Sequence, residues 1–216
     1  MPRKVANLLA LAVLGTVVQR PMHPYEIASF LRARGKGADM EIKWGSLYTV
    51  VRNLAKHEFI EVVDSQRAGA RPERTIYRIT DAGRAELRDW TRELVATAPP
   101  EHPRFKAGLS MLSVLPPEEA AAALRERLDE LDQATAAQRA LLAEHADVPR
   151  LFLVEIEYEL AVREAEVTWV RGLLAELTTE TFPGLAAWRT WHATGEIAPE
   201  HAELAERGAH REEPDE

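Results

Sequence analysis

Within the first sixty positions, residues 5–18 form an almost continuous apolar run, and beyond it apolar residues recur every three or four residues, the spacing that gives an α-helix one apolar face. The run predicts a buried helix over residues 3–18, and the spacing predicts helices over 24–34 and 44–57. Pro24 stands at the first turn of the second segment, where proline is tolerated, and Gly35 follows at its end. The chain is therefore expected to begin with a compact group of three helices.

The pattern then changes from helix to strand. Residues 59–64 and 75–80 are short and rich in β-branched and aromatic side chains, as strands are. The loop between them carries glycine, proline and three arginines, namely Arg67, Arg71 and Arg74. A fourth helix is predicted over 82–95. Three helices, a two-stranded hairpin and a fourth helix make a winged helix-turn-helix, in which the third helix is the recognition helix and the hairpin is the wing.

A proline-rich stretch at 98–103 separates this domain from a second one. The second domain is predicted to contain a short helix over 104–115, a long helix from Pro117 to about 145, and a third helix that ends near 177. The fold class is therefore mainly α, with a winged helix-turn-helix domain and a C-terminal helical dimerisation domain. The expected divisions are 1–95, 104–182, and a tail over 183–216 in which a short helix packs back and the charged end is partly disordered.

The last long helix carries an apolar seam at three- and four-residue spacing, interrupted only by Arg163. Such a seam favours a helical hairpin that pairs with a second copy across a two-fold axis, and an intramolecular helix bundle is the alternative. The candidate dimerisation residues are Leu153, Ile156, Leu160, Val167, Val170, Leu174 and Leu177.

Charge is divided unevenly along the chain. The net charge of −8 hides a basic part over 1–94, with 16 Lys/Arg and 11 Asp/Glu, and an acidic remainder with 11 Lys/Arg and 24 Asp/Glu. This split favours a polyanionic partner for the first part alone. Cysteine is absent, which excludes disulfides and suits the cytoplasm. The apolar run over 5–18 lacks a signal-peptide cleavage site and is too short to span a membrane, so no membrane partner is expected.

The recognition helix has a polar face that carries hydroxyls, an amide and two cations but no acid, a composition suited to phosphates and base edges. Arg52 and Asn53 are the candidates for base contacts, and a solvated face is the alternative. Tyr48 is a candidate for phosphate contact, or else a half-buried core residue. Phosphate contacts are also expected from Arg3 and Lys4. The DNA-binding candidates are Lys43, Ser46, Tyr48, Thr49, Arg52, Asn53, Lys56, Arg67, Arg71 and Arg74.

Several segments together resemble the PadR family of bacterial transcriptional regulators, including its longer type of helical C-terminal domain. Pro24 and Glu58 stand where the family often has glycine. The similar segments are Leu8–Gly15, Met22–Ile27, Gly45–Tyr48 with Leu54, Phe59–Glu61, Tyr77–Gly83 with Leu87 and Trp90, and Phe105–Leu109.

The resemblance implies a homodimeric repressor that binds a two-fold operator in double-stranded DNA and responds to a small-molecule effector. In some relatives aromatic residues at the dimer centre hold flat ligands, so Trp169 is a candidate effector contact, with dimer packing as its alternative. No metal, cofactor or enzymatic activity is expected, because the seven histidines show no metal-ligand spacing and no catalytic motif is present. A winged-helix module that binds protein instead of DNA is the other function considered.

Overall fold

The computed structural model describes residues 3–36, 44–66 and 74–196 and divides the chain into two compact units between Pro100 and Glu101. In the first unit, helix α1 covers Leu8–Val17 and is buried on almost every side. The Asn7 side chain accepts a hydrogen bond from the Leu9 N–H at 2.8 Å and so caps the helix. The predicted start at residue 3 was therefore wrong, because the cap fixes the first turn later in the chain.

Helix α2 covers Pro24–Ala33 and begins with a reciprocal cap. His23 accepts a hydrogen bond from the Tyr25 N–H at 3.1 Å, and Glu26 accepts one from the His23 N–H at 2.9 Å. These bonds satisfy amides that the first helical turn leaves free. A 3₁₀ turn over Trp44–Ser46 then leads into helix α3, Leu47–Lys56, which is the predicted recognition helix.

Strands β1 (Ile60–Gln66) and β2 (Arg74–Ile79) form the antiparallel hairpin, with a register shift between Val62 and Asp64. Glu58, immediately before β1, has a φ of 60°. This left-handed conformation favours glycine, so Glu58 holds it at a conformational cost that glycine would not have. The backbone of Met22 pairs with Tyr77 of β2 through two hydrogen bonds of 3.0 Å, so the segment before α2 is fixed to the hairpin.

Helix α4, Asp81–Ala96, completes the first unit. Thr80 caps it by accepting a hydrogen bond from the Gly83 N–H at 3.0 Å. The same hydroxyl donates to the Glu58 carbonyl at 2.6 Å, which ties the start of α4 to the turn before β1. The core of the unit lies between α1, α3 and the base of the hairpin, where Leu14, Leu54 and Ile60 are each 0–1% exposed.

The second unit is helical throughout its described part. Helix α5 covers Arg104–Ser110 and is followed by a 3₁₀ turn, so the predicted continuation to 115 was wrong. Helices α6 (Pro117–Glu144) and α7 (Val154–Thr178) pack together as a hairpin. Helix α8 (Leu185–Thr194) packs back on them, as predicted, and the Trp188 indole donates a hydrogen bond to the Leu115 carbonyl at 3.0 Å. The charged end of the tail, from residue 197, lies outside the described residues.

The seam on α7 packs within the same chain. Val170 is 0% exposed, and Val167 and Leu177 are also buried. Leu153, Ile156, Leu160 and Leu174 are half-buried. The residue that interrupts the seam, Arg163, donates a hydrogen bond to Gln138 of α6, which in turn donates to the Ile156 carbonyl. The seam thus forms the core of the hairpin, as the intramolecular alternative expects. No described helix is long and apolar enough to cross a membrane.

Candidate DNA-binding surface

Helix α3 has one buried and one exposed face. Leu47, Val50, Val51 and Leu54 are at most 4% exposed and attach the helix to the core of the first unit. This apolar anchor holds the helix axis in place, so the opposite side chains are presented from a rigid support.

The opposite face consists of exposed polar side chains, namely Tyr48, Thr49, Arg52, Asn53 and Lys56. The side chains of Arg52, Asn53 and Lys56 make no hydrogen bond or ion pair with another described residue. Their donors are therefore available to an external ligand. Tyr48 is 55% exposed, which does not fit the half-buried core tyrosine that was its alternative.

Ser46 occupies the position immediately before α3. It is half-buried, and its side chain makes no capping hydrogen bond with the helix. The first amides of α3 are consequently not satisfied by this hydroxyl, and a helix N-terminus of this kind favours anions. The candidate role of Ser46 in phosphate contact stays a prediction.

The base of the wing is described, but its tip is not. Lys43, Arg67 and Arg71 lie outside the described residues, and Arg74 is described only as the first backbone position of β2. Lower on the hairpin, Arg78 donates to Glu61 across the strands at 2.6 Å, which neutralises both charges. The contribution of the wing arginines to DNA binding therefore stays a prediction.

Tyr25 is a surface residue that the sequence reasoning did not select as a site. It lies in the first turn of α2 and is 67% exposed. In helix-turn-helix proteins the helix before the recognition helix crosses the nucleic-acid backbone. An exposed phenol at its start is therefore placed to donate to a phosphate. The sequence signal was present in the His23-Pro24-Tyr25-Glu26 cap, which fixes where the helix begins.

Arg3 does not belong to this surface, so its predicted phosphate contact was wrong. Its guanidinium donates to Glu86 at 2.5 Å and also to Glu93, and it stacks 5.1 Å from the centre of the Trp90 ring. The hydrogen bonds to these carboxylates of α4 raise the pKa of Arg3 against the opposing effect of burial. Arg3 thus fastens the start of the chain to α4.

Replacing Arg3 by alanine is expected to lower the free energy of unfolding by about 1–2 kcal/mol, since charge-assisted hydrogen bonds to partly buried carboxylates are lost. Urea denaturation followed by circular dichroism measures this change. Lys4→Ala is the matched control, because Lys4 is exposed and makes no such bond. A variant with unchanged stability but a reduced salt dependence of DNA binding would restore the phosphate role.

Similarity to known families and structures

Residues 13–89 match the family model described as "Transcriptional regulator PadR-like family". This range runs from α1 through the recognition helix and hairpin into α4. The first unit of the chain therefore contains a PadR-like winged helix. The predicted resemblance is confirmed, as is the mainly α fold with a winged helix and a C-terminal helical region. Because PadR-like proteins are DNA-binding transcriptional regulators and not enzymes, the prediction of no enzymatic activity is also confirmed.

Solved PadR-like structures share this fold over most of the chain. Bacillus subtilis PadR in complex with operator DNA is 20% identical, with a TM-score of 0.65 over 79% of this chain and 99% of that chain. The same protein in complex with p-coumaric acid gives 20% identity and a TM-score of 0.66 over the same shares. The Vibrio cholerae virulence activator AphA is 24% identical, with a TM-score of 0.62 over 80% of this chain and 99% of that one. No curated protein matches the chain.

The PadR-like chain also presents a second exposed surface, on α7. Leu151 and Phe152, just before this helix, are 75% and 64% exposed, and a row of exposed apolar and small side chains continues along it. At 100° per residue this row lies opposite the buried seam. The row is called here the α7 stripe and comprises Val154, Tyr158, Ala161, Val162, Ala165, Trp169 and Gly172.

The sequence analysis placed the candidate dimerisation residues on the seam and did not select the residues of this stripe. Its signal was the recurrence of uncharged residues at three- and four-residue spacing on the other side of the same helix. No cluster of His, Asp or Glu that could hold a metal occurs among the described residues.

Proposed function

We propose that this DNA-binding regulator is a sequence-specific repressor that binds a two-fold operator as a homodimer and is released by a small-molecule effector. The observation that carries the proposal is the exposed face of α3, whose donors have no partner among the described residues and no neighbouring acid on the helix. Arg52 and Asn53 are the residues proposed to reach base edges, since arginine pairs with guanine and asparagine with adenine. Tyr48, Thr49, Lys56 and Tyr25 are proposed to contact the phosphates.

The homodimer is proposed to form through the α7 stripe and not through the seam, because the buried seam residues already stabilise the hairpin of one chain. Three large side chains of the stripe, Tyr158, Val162 and Trp169, are 71%, 49% and 50% exposed. Exposed apolar rows of this kind mark interaction surfaces. The small side chains between them allow a second helix to approach closely.

The acids beside the stripe support the choice of a second copy as its occupant. Glu157, Glu159, Glu164 and Glu166 are each paired with an arginine of the same chain, namely Arg150, Arg163, Arg139 and Arg127. The hydrogen bond from Arg150 holds the pKa of Glu157 below its usual value. These pairs neutralise four of the acids on α7, which lowers the repulsion between two identical faces.

Repression, effector release and a cytoplasmic location are the finer parts of the proposal. They are supported by the match of residues 13–89 to the PadR-like family and by the similarity to a protein solved both with operator DNA and with p-coumaric acid. An effector that binds the helical unit would act by changing the angle between the two DNA-binding units of the dimer.

DNA binding is tested by fluorescence anisotropy with the DNA upstream of the protein's own gene and with random DNA of equal length, at two salt concentrations. We expect the upstream DNA to bind more tightly and both affinities to fall steeply with salt, because cations displace counterions from phosphates. Binding to neither DNA, or binding that salt does not change, would favour the protein-interaction module.

In the same assay the double variant Arg52→Ala, Asn53→Ala is expected to lower the preference for upstream over random DNA by about 10- to 100-fold, since a good bidentate base contact contributes about 1–3 kcal/mol of discrimination. Arg88→Ala, an exposed arginine on α4, is the control and should leave the preference unchanged. If the double variant lowers the affinity for upstream DNA and for random DNA by the same factor, Arg52 and Asn53 contact the DNA backbone and not the bases.

A further inference from the structure

The α7 stripe matches a second copy of itself when the two helices run in opposite directions. A two-fold axis perpendicular to α7, level with the midpoint between Ala161 and Val162, brings residues equally far from that midpoint to the same level in the two copies. Tyr158 then lies level with the partner's Ala165, and both positions are near the centre of the stripe. A large exposed ring thus faces a methyl group, which leaves room for the ring between the helices.

The outer parts of the stripe match in the same way. Val154 lies level with the partner's Trp169, so the largest side chain of the stripe meets a medium-sized one. Leu151, in the turn just before α7, lies level with the partner's Gly172. The stripe contains no charged residue, so the contacts along this antiparallel pair join apolar, aromatic or small side chains.

A parallel pair would lack this fit. It would bring each residue level with its own copy, so Tyr158 would meet Tyr158 and Trp169 would meet Trp169, whereas Ala165 and Gly172 would face only their own small counterparts. Protein interfaces are packed as closely as protein interiors, and large residues at one level would hold the helices apart at the small ones. The order of large and small residues therefore favours the antiparallel pair.

Gly172 is a residue that the fold of the single chain does not require. It lies inside α7, where glycine is less favourable than alanine, and its φ is not positive. A Cβ added there would meet no atom of the described residues within 4 Å. A reason for the missing side chain is therefore expected outside the chain. The antiparallel register supplies one, because it brings the partner's highly exposed Leu151 to this level.

We infer that two copies of α7 pair antiparallel about a two-fold axis between Ala161 and Val162. The inference rests on the proposed function, because it takes the α7 stripe as the interface of the homodimer. It adds the direction and the register of the pairing, and it gives Gly172 the role of receiving the partner's Leu151. The exposed side of Trp169 is covered by the partner's Val154.

Cysteine cross-linking of the full-length protein tests the register, because the chain has no cysteine of its own. A disulfide needs Cβ atoms about 3.5–4.5 Å apart. The Ala161→Cys variant lies beside its own copy at the axis, so mild oxidation with copper phenanthroline is expected to link it into a covalent dimer. The Ala165→Cys variant lies about 10 Å along the axis from its own copy, at about 1.5 Å per residue, and should not be linked.

A mixture of two variants gives the sharper measurement. After subunit exchange, Ala165→Cys and Tyr158→Cys together should yield about tenfold more linked dimer than either variant alone, since only the mixed pair brings two thiols to the same level. Each variant on its own is the control for the other. Non-reducing gel electrophoresis measures the linked fraction, and sedimentation velocity before oxidation confirms that each variant is dimeric.

Gly172→Leu tests the role of the glycine. We expect the dissociation constant of the homodimer to rise about tenfold or more, because the added side chain meets the partner's Leu151 at two places in each dimer. The helix content of the single chain should not fall, since the position is open there. Ala137→Leu, at an exposed position of α6, is the matched control and should leave the dissociation constant unchanged.

The possible failures are distinguishable. If Ala161→Cys, Ala165→Cys and Tyr158→Cys each link to their own copies, the helices are parallel, and the register is overturned while the stripe remains the interface. If the protein sediments as a dimer but none of these variants is linked, the stripe is not the interface. A monomeric protein overturns the proposed homodimer and the register together. Equal dissociation constants for Gly172→Leu and Ala137→Leu overturn the role given to Gly172.

Discussion

Replacing Val162 by aspartate is expected to convert the proposed homodimer to monomers at micromolar concentration. Val162 is 49% exposed in the single chain and lies in the middle of the α7 stripe, so the proposed interface would bury it twice. A carboxylate buried there without a partner costs several kcal/mol. The stability of the single chain changes little, because in the monomer the new carboxylate remains in contact with water.

The affinity for operator DNA should fall when the homodimer dissociates. Two linked DNA-binding units make the second contact effectively intramolecular, which raises overall affinity by about 10²–10⁴-fold. We therefore expect Val162→Asp to weaken operator binding by at least 100-fold. Sedimentation velocity measures the oligomeric state, and anisotropy measures the affinity.

Ala137→Asp is the matched control, since it adds the same charge to an exposed position of α6. It should remain dimeric and bind DNA normally. If the Val162→Asp variant stays dimeric, or if the Ala137→Asp variant dissociates to the same extent, the α7 stripe is not the dimer interface. Circular dichroism of both variants should match the parent chain, which separates loss of the dimer from loss of the fold.

The positions of the two α7 faces illustrate what the sequence alone can and cannot predict. Periodicity correctly identified a long helix with an apolar seam. It did not reveal which surface the seam would cover, because a seam packs equally well on a helix of the same chain or of another. Which helix the seam covers depended on the sequence of α6. Gln138 of α6 accepts a hydrogen bond from Arg163, the one charged residue that interrupts the seam.

The candidate DNA-binding surface was predicted more completely, because one short helix carries most of it. Helical spacing alone separates Leu47 and Leu54 from Arg52 and Asn53 on α3. Arg3 was misjudged for the opposite reason. Its partners Glu86 and Glu93 lie more than eighty residues further along the chain, and no local pattern connects them with it.

Gly83→Ala is expected to destabilise the first unit by about 3 kcal/mol or more. Gly83 lies in the first turn of α4, where a Cβ would stand 2.0 Å from the Phe59 carbonyl oxygen and 2.8 Å from Ile79 Cγ1. Backbone cannot rotate away as a flexible side chain does, so the whole start of α4 must move. That movement would stretch the Thr80 N–H···O=C Phe59 hydrogen bond of 3.1 Å, and the overpacking alone costs about 1–3 kcal/mol.

Gly15→Ala is the matched control, because Gly15 lies inside α1 and a Cβ added there meets nothing within 4 Å. This change should stabilise the unit by up to about 1 kcal/mol, since alanine favours helix over glycine. Urea denaturation and operator binding of the two full-length variants give the comparison. Equal denaturation midpoints would mean that α4 shifts away from Phe59 at little cost, which would contradict the expected effect of the close contact at Gly83.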